Sequence, residues 1–180
     1  MEKIKKKMKR RRLKKILLAF LALFVLIQLI PVNRTVPDFD ATHDFLTSMH
    51  APPAIAESIQ NSCYDCHSYT THYPWYGYVA PVSWFLNKHI REGREHLNFS
   101  TIGNQKKKDL LHALEEAHEE VLEGEMPLRG YTLMHKEARL SQAEREEIAK
   151  WFKELYISLG GNPNEFEEEG EEGEHEEHEH

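Results

Sequence analysis

Cys63-Tyr64-Asp65-Cys66-His67 gathers three metal-binding or bond-forming side chains into five residues, and it holds both cysteines of the 180-residue chain. Two thiols and an imidazole at this spacing admit several chemistries. A disulfide between residues three apart closes almost no loop and would stabilise little. A thiol-exchange pair of the thioredoxin kind needs a βαβ setting, and no strand pattern precedes Cys63. Zinc could take both thiolates with His67 or His72, but a second well-spaced ligand pair is missing. The pattern C-x-x-C-H is also that of c-type haem attachment. Two thiols one helical turn apart can add to the two vinyl groups on one haem edge, and the imidazole that follows takes the proximal position on the iron.

An iron bound through His67 has one more axial position. Met126, 59 residues further on, is the leading candidate, because Met126-Pro127 at a helix exit holds the thioether on a constrained loop. A core methionine is the plainer reading of the same residue. His89 and His135 are the alternatives, each also readable as an ordinary exposed or hydrogen-bonded histidine. The choice matters chemically, since Met/His ligation raises the reduction potential and two histidines lower it. Tyr73, Trp75, Tyr76, Tyr78, Trp84 and Phe85 offer flat apolar surface for a pocket wall, or for a plain core. Arg91, Arg94 or Arg129 could pair with propionates through a guanidinium that matches carboxylate geometry.

These residues need helices to position them. Pro52 and Pro53 suit a first helical turn, and Ile55 and Ile59 lie one turn apart before Cys63, so a short helix delivers the motif. After a loop punctuated by Pro74, Gly77 and Pro81, a second helix starts at Val82 and carries Phe85 and His89 on one side. Leu110, Leu114, Ala117 and Val121 recur at three-to-four spacing, which predicts a third helix over 107–123 with Gly124 ending it. Ser141 and Glu144 form a capping box for a fourth helix with Ile148, Trp151, Phe152 and Leu155 as its apolar stripe, stopped at Gly160-Gly161. No useful strand alternation appears. The expected unit is all-α, residues 51–160, with four helices and a modest core that gains from packing around something large and apolar.

The two ends differ from this middle. Residues 1–15 hold ten of the 23 Lys/Arg, and 16–32 run apolar with Gln28 as the only polar side chain. That pattern predicts a transmembrane signal anchor with a cytoplasmic N-terminus, and everything after a linker at 33–50 facing the periplasm or cell exterior. Without the basic flank the chain carries 13 basic against 29 acidic residues, which argues against a nucleic-acid partner. Ten of those acids crowd Glu165–Glu179, so 161–180 reads as a solvated acidic tail. Its His175, His178 and His180 could loosely hold a transition metal.

CYDCHS, YPWY, APVSWFLNKHIREGREHLNFS, GEMPLRGYTLMHKEARLS and the late Trp151 together resemble the bacterial membrane-anchored haem-binding domain family over roughly Ala51 to Phe152. The resemblance implies a cytochrome c-like helical domain around one covalently bound haem c. It implies thioether links at Cys63 and Cys66, the proximal ligand at His67 and the distal one at Met126. The expected function is that of a membrane-anchored one-electron carrier, not an enzyme, with redox partner proteins. A haem sensor or peroxidase-like enzyme with an open iron, and a zinc-stabilised interaction module, are the competing expectations.

Overall fold

The computed structural model describes residues 2–166, and the tail histidines His175, His178 and His180 lie outside them. Eight α-helices and no strand occur among the described residues: α1 (Glu2–Ile27), α2 (Phe45–Ser48), α3 (Pro53–Ser62), α4 (Tyr64–His67), α5 (Val82–His96), α6 (Lys107–Glu123), α7 (Arg129–Met134) and α8 (Gln142–Ser158).

The transmembrane helix expected over 16–32 is not formed, since among the described residues no helix is long and apolar enough to cross a membrane. The first half of α1 is the basic flank, and the helix ends at Ile27. Its apolar part, Ile16–Ile27, rises only about 18 Å at ~1.5 Å per residue, against the ~30 Å of a bilayer core. Gln28 marks the break. Its amide pairs with the main chain of Ala80, accepting from the N–H at 2.9 Å and donating to the carbonyl at 3.1 Å. Arg34 follows, donating to the Gly77 carbonyl and lying 4.6 Å from the Tyr78 ring centre. Among the described residues the span expected over 16–32 is thus replaced by a shorter apolar stretch of α1, and the segment after α1 is tied to the aromatic loop.

The core forms where α6 and α8 pack along each other. Leu110, Leu114 and Val121 from α6 meet Ile148, Phe152 and Tyr156 from α8 in one buried cluster. Local signals set both helices. Gly124 ends α6 in the left-handed conformation at φ 84°, where a residue without Cβ is unstrained. Ser141 accepts from the Glu144 N–H while the Glu144 carboxylate accepts from the Ser141 N–H at 2.7 Å, which starts α8. Packing begins ahead of residue 51. Phe45 and Leu46 of α2 are buried in the same cluster, and Asp44 caps that helix through the Leu46 and Thr47 N–H groups. Asp44 also accepts from the Tyr64 hydroxyl at 2.9 Å, fixing α2 to α4.

Candidate functional site

Pro53 opens α3 with its φ already set, and the helix runs to Ser62. Cys63 interrupts the helical dihedrals, but the hydrogen bonds continue: its N–H donates to Ile59, and the His67 N–H donates to the Cys63 carbonyl, each at 2.9 Å. The two thiols and the imidazole therefore leave the backbone within about one turn. Both cysteines are free. Burial pushes each thiol up to about 11, and for Cys66 the Asp65 carboxylate adds to the effect. In the bare protein both are thus protonated at neutral pH.

His67 is bracketed by the segment that leaves α5. Its Nδ1 lies 3.0 Å from the Leu97 carbonyl. A carbonyl only accepts, so Nδ1 carries the proton and the Nε2 lone pair is left for a ligand bond. Burial lowers the His67 pKa, and the carbonyls of Leu97 and Gly93 oppose that shift only in part, which favours the neutral ring. The Phe99 N–H donates to the His67 carbonyl at 2.8 Å. The Phe99 ring is fully buried, stacks on Tyr64 at 5.0 Å and meets His67 edge-on at 6.5 Å. A Cβ at Gly93 would lie 3.3 Å from Cε1 and 3.4 Å from Nε2 of His67. Glycine there lets the α5 backbone lie against the imidazole.

Cys63, Cys66 and His67 line a cavity of about 350 Å³ that Met126 also lines. That volume lies within the range of about 300–1,000 Å³ usual for small-molecule and cofactor sites. Leu97, Phe99, Ala113, Ala117, Val121 and Phe152 supply its apolar wall, and Glu92, Glu116, Glu120, His89 and His96 its polar lining. Met126 leaves α6 on a fastened backbone. Its N–H donates to the Glu120 carbonyl at 2.9 Å, and its own carbonyl accepts from Arg145, which also reaches the Val121 carbonyl at 3.3 Å. Two thiols, an imidazole with a free Nε2, and a thioether around one largely apolar cavity suit a haem. Among the described residues no three His, Cys, Asp or Glu are grouped to hold a bare metal ion.

Other expected residues lie elsewhere. None of Tyr73, Trp75, Tyr76, Tyr78, Trp84 and Phe85 lines the cavity, and Trp75 is 74 % and Phe85 63 % exposed. Arg34 takes up the Tyr73 and Tyr78 faces instead. Arg91 pairs with Glu95 at 3.8 Å, and Arg94 donates to the Ser68 carbonyl and the Thr71 hydroxyl, each at 2.8 Å. Neither these two nor Arg129 lines the cavity. Of the rival histidines, His89 lines it and His135 does not. His135 stacks on Tyr131 at 4.2 Å, and its Nε2 lies 2.7 Å from the Tyr76 hydroxyl. Sequence reasoning missed Gly93, Phe99 and Tyr131. Gly93 sits on α5 and Phe99 in the turn after it, and nothing near either position in the sequence shows that His67 is its neighbour.

Residues 22–154, well over half of the chain, match the family model described as a haem-binding domain. No curated protein and no solved structure matches the chain.

Proposed function

The chain belongs to the haem-binding domain family, and we propose that it is a c-type haem protein carrying one covalent haem and moving single electrons between redox partner proteins. Cys63 and Cys66 would hold the group by adding their S–H bonds across two vinyl C=C bonds, so that thioethers form and no atom is lost. His67 Nε2 and the Met126 sulfur would hold its iron. Bound haem supplies a one-electron iron couple, whose potential Met/His ligation raises. The chain's own contribution is to fix the imidazole tautomer through Leu97, to keep water off with the apolar wall, and to present a thioether on a fastened loop.

The carrying observation is that both thiols, the imidazole and Met126 line one cavity. Iron held by both His67 and Met126 would leave no exchangeable position, and such a site favours a carrier over an enzyme, because catalysis at iron needs an exchangeable site with an acid or base over it. Attachment of this kind takes place outside the cytoplasm, which is where we place the domain.

Two experiments test the reading. Chain produced together with haem-maturation machinery is expected to keep its colour through denaturing electrophoresis; colour lost there would refute covalent attachment. Met126→Ala is expected to abolish the sulfur-to-iron charge-transfer band of the oxidised spectrum. A band that persists would remove Met126 from the iron, and His89, which shares the cavity, would be the next residue to substitute.

A further inference from the structure

We infer that the hydrogen bond from Tyr131 to Asp65 is a clasp that holds the Met126 segment against the cavity, which makes Tyr131 a positioning residue for the distal ligand. The inference rests on the proposed ligation by Met126, and it concerns what keeps that sulfur in place.

After Pro127 and Leu128 the chain enters α7, a six-residue helix with no buried residue. Leu133 and Met134 on it are exposed. With no fully buried residue, so short a helix gains little from apolar packing, and polar contacts add to its attachment. One of them is the Tyr131 hydroxyl, which donates to Asp65 Oδ2 at 2.7 Å. Asp65 stands between the two cysteines, so this single bond joins the segment after Met126 to the attachment turn itself. The acceptor is held in place in its turn, since Asp65 Oδ1 accepts from the His72 N–H at 2.8 Å and the Thr71 hydroxyl donates to the Asp65 carbonyl at 2.7 Å.

Tyr131 also lines the cavity. Its ring lies nearly parallel to that of His135, at 13°, and the bond between His135 and Tyr76 ties the far end of α7 to the aromatic loop. Burial and the adjacent Asp65 raise the Tyr131 pKa, so the hydroxyl remains a donor at working pH. With Glu120 and Arg145 fixing Met126 at the α6 end, the clasp completes the hold from the α7 side. Without it the α7 side would keep only the hold at its far end, where His135 meets Tyr76 and Ala138 is buried.

Tyr131→Phe removes the hydroxyl and keeps the ring stack. In the haem-loaded full chain, loss of a hydrogen bond to a charged acceptor should raise the open population about tenfold to a hundredfold. Three readouts follow: the rate of carbon monoxide binding to the reduced iron, the charge-transfer band, and amide hydrogen exchange over 128–135. Tyr131→Phe is expected to speed carbon monoxide binding and exchange over 128–135 by that factor. Asp65→Asn leaves one acceptor oxygen for two donors, the His72 N–H and the Tyr131 hydroxyl, and is expected to fall between the parent and Tyr131→Phe. Unchanged binding and exchange in Tyr131→Phe, beside fast binding in Met126→Ala, would overturn the clasp. If Met126→Ala leaves band and binding as in the parent, the ligand assignment fails instead, and the exchange over 128–135 alone then decides whether Tyr131 holds the segment.

Discussion

His67 and Met126 line the same cavity, but different forces hold them. Behind His67 stand Phe99 and Tyr64, buried in the cluster that also contains Phe45 and Phe152, so the imidazole is backed by the core of the protein. Met126 is half-buried against that cluster, and its backbone is fixed by Glu120, Arg145 and the Tyr131 contact beyond it. A wall of buried aromatics yields only when the fold yields. A segment held by a few hydrogen bonds can open by itself, at a free energy well below that of global unfolding. The attachment side is thus the rigid partner of the pair, and the Met126 side is where the chain can adjust access to the cavity.

The largest expected effect lies on the rigid side. Phe99→Ala removes a fully buried ring and its stack on Tyr64, and should cost about 3–5 kcal/mol in urea unfolding. Leu128→Ala, an exposed position on the Met126 side, should cost no more than about 0.5 kcal/mol. Comparable losses from the two substitutions would erase the contrast between the sides.

A smaller effect should appear in the thiols of the haem-free full chain. Both are pushed up from the ordinary 9.0 to about 11 by burial. At pH 8 their alkylation should therefore run about 100-fold slower than in the urea-unfolded chain, since the thiolate is the reacting form. The rate should climb about tenfold per pH unit until about pH 11. The sign for stability follows. A folded pKa above the unfolded one means that this contribution is complete below about pH 9 and is lost as pH rises toward about 11. Alkylation at pH 8 as fast as in the unfolded chain would show an attachment side already open.

What could be read in the sequence is what depends on near neighbours. The span 107–123 with Gly124 behind it, the Ser141 capping box and the short helix ahead of Cys63 each follow from residues within a turn or two. The Met126-Pro127 exit was legible for the same reason. The cavity wall was not, because Phe99 reaches His67 across 32 positions and Tyr131 reaches Asp65 across 66. The aromatic run after Cys66 misled, since Arg34 draws Tyr73 and Tyr78 away and His135 takes Tyr76. The apolar run 16–32 misled differently. Hydropathy averages over Gln28, whereas the backbone ends the helix beside it and turns its amide to Ala80.

The smallest expected effect connects a purely local signal to the adjustable side. Ser141 and Glu144 fix the first turn of α8, and Arg145 stands on that turn with its guanidinium on the Met126 carbonyl. Ser141→Ala deletes the hydroxyl that accepts from the Glu144 N–H and should cost about 1 kcal/mol. Loosening at this end reaches Met126 through Arg145 but does not reach the Phe99 bracket, which is built from α4 and the end of α5. Amide exchange at Met126 and Leu128 should therefore rise about fivefold, roughly the equivalent of 1 kcal/mol, while thiol alkylation at pH 8 stays at the parent rate. Equal acceleration of both would mean that the two sides open together, and the cavity would then behave as one cooperative unit.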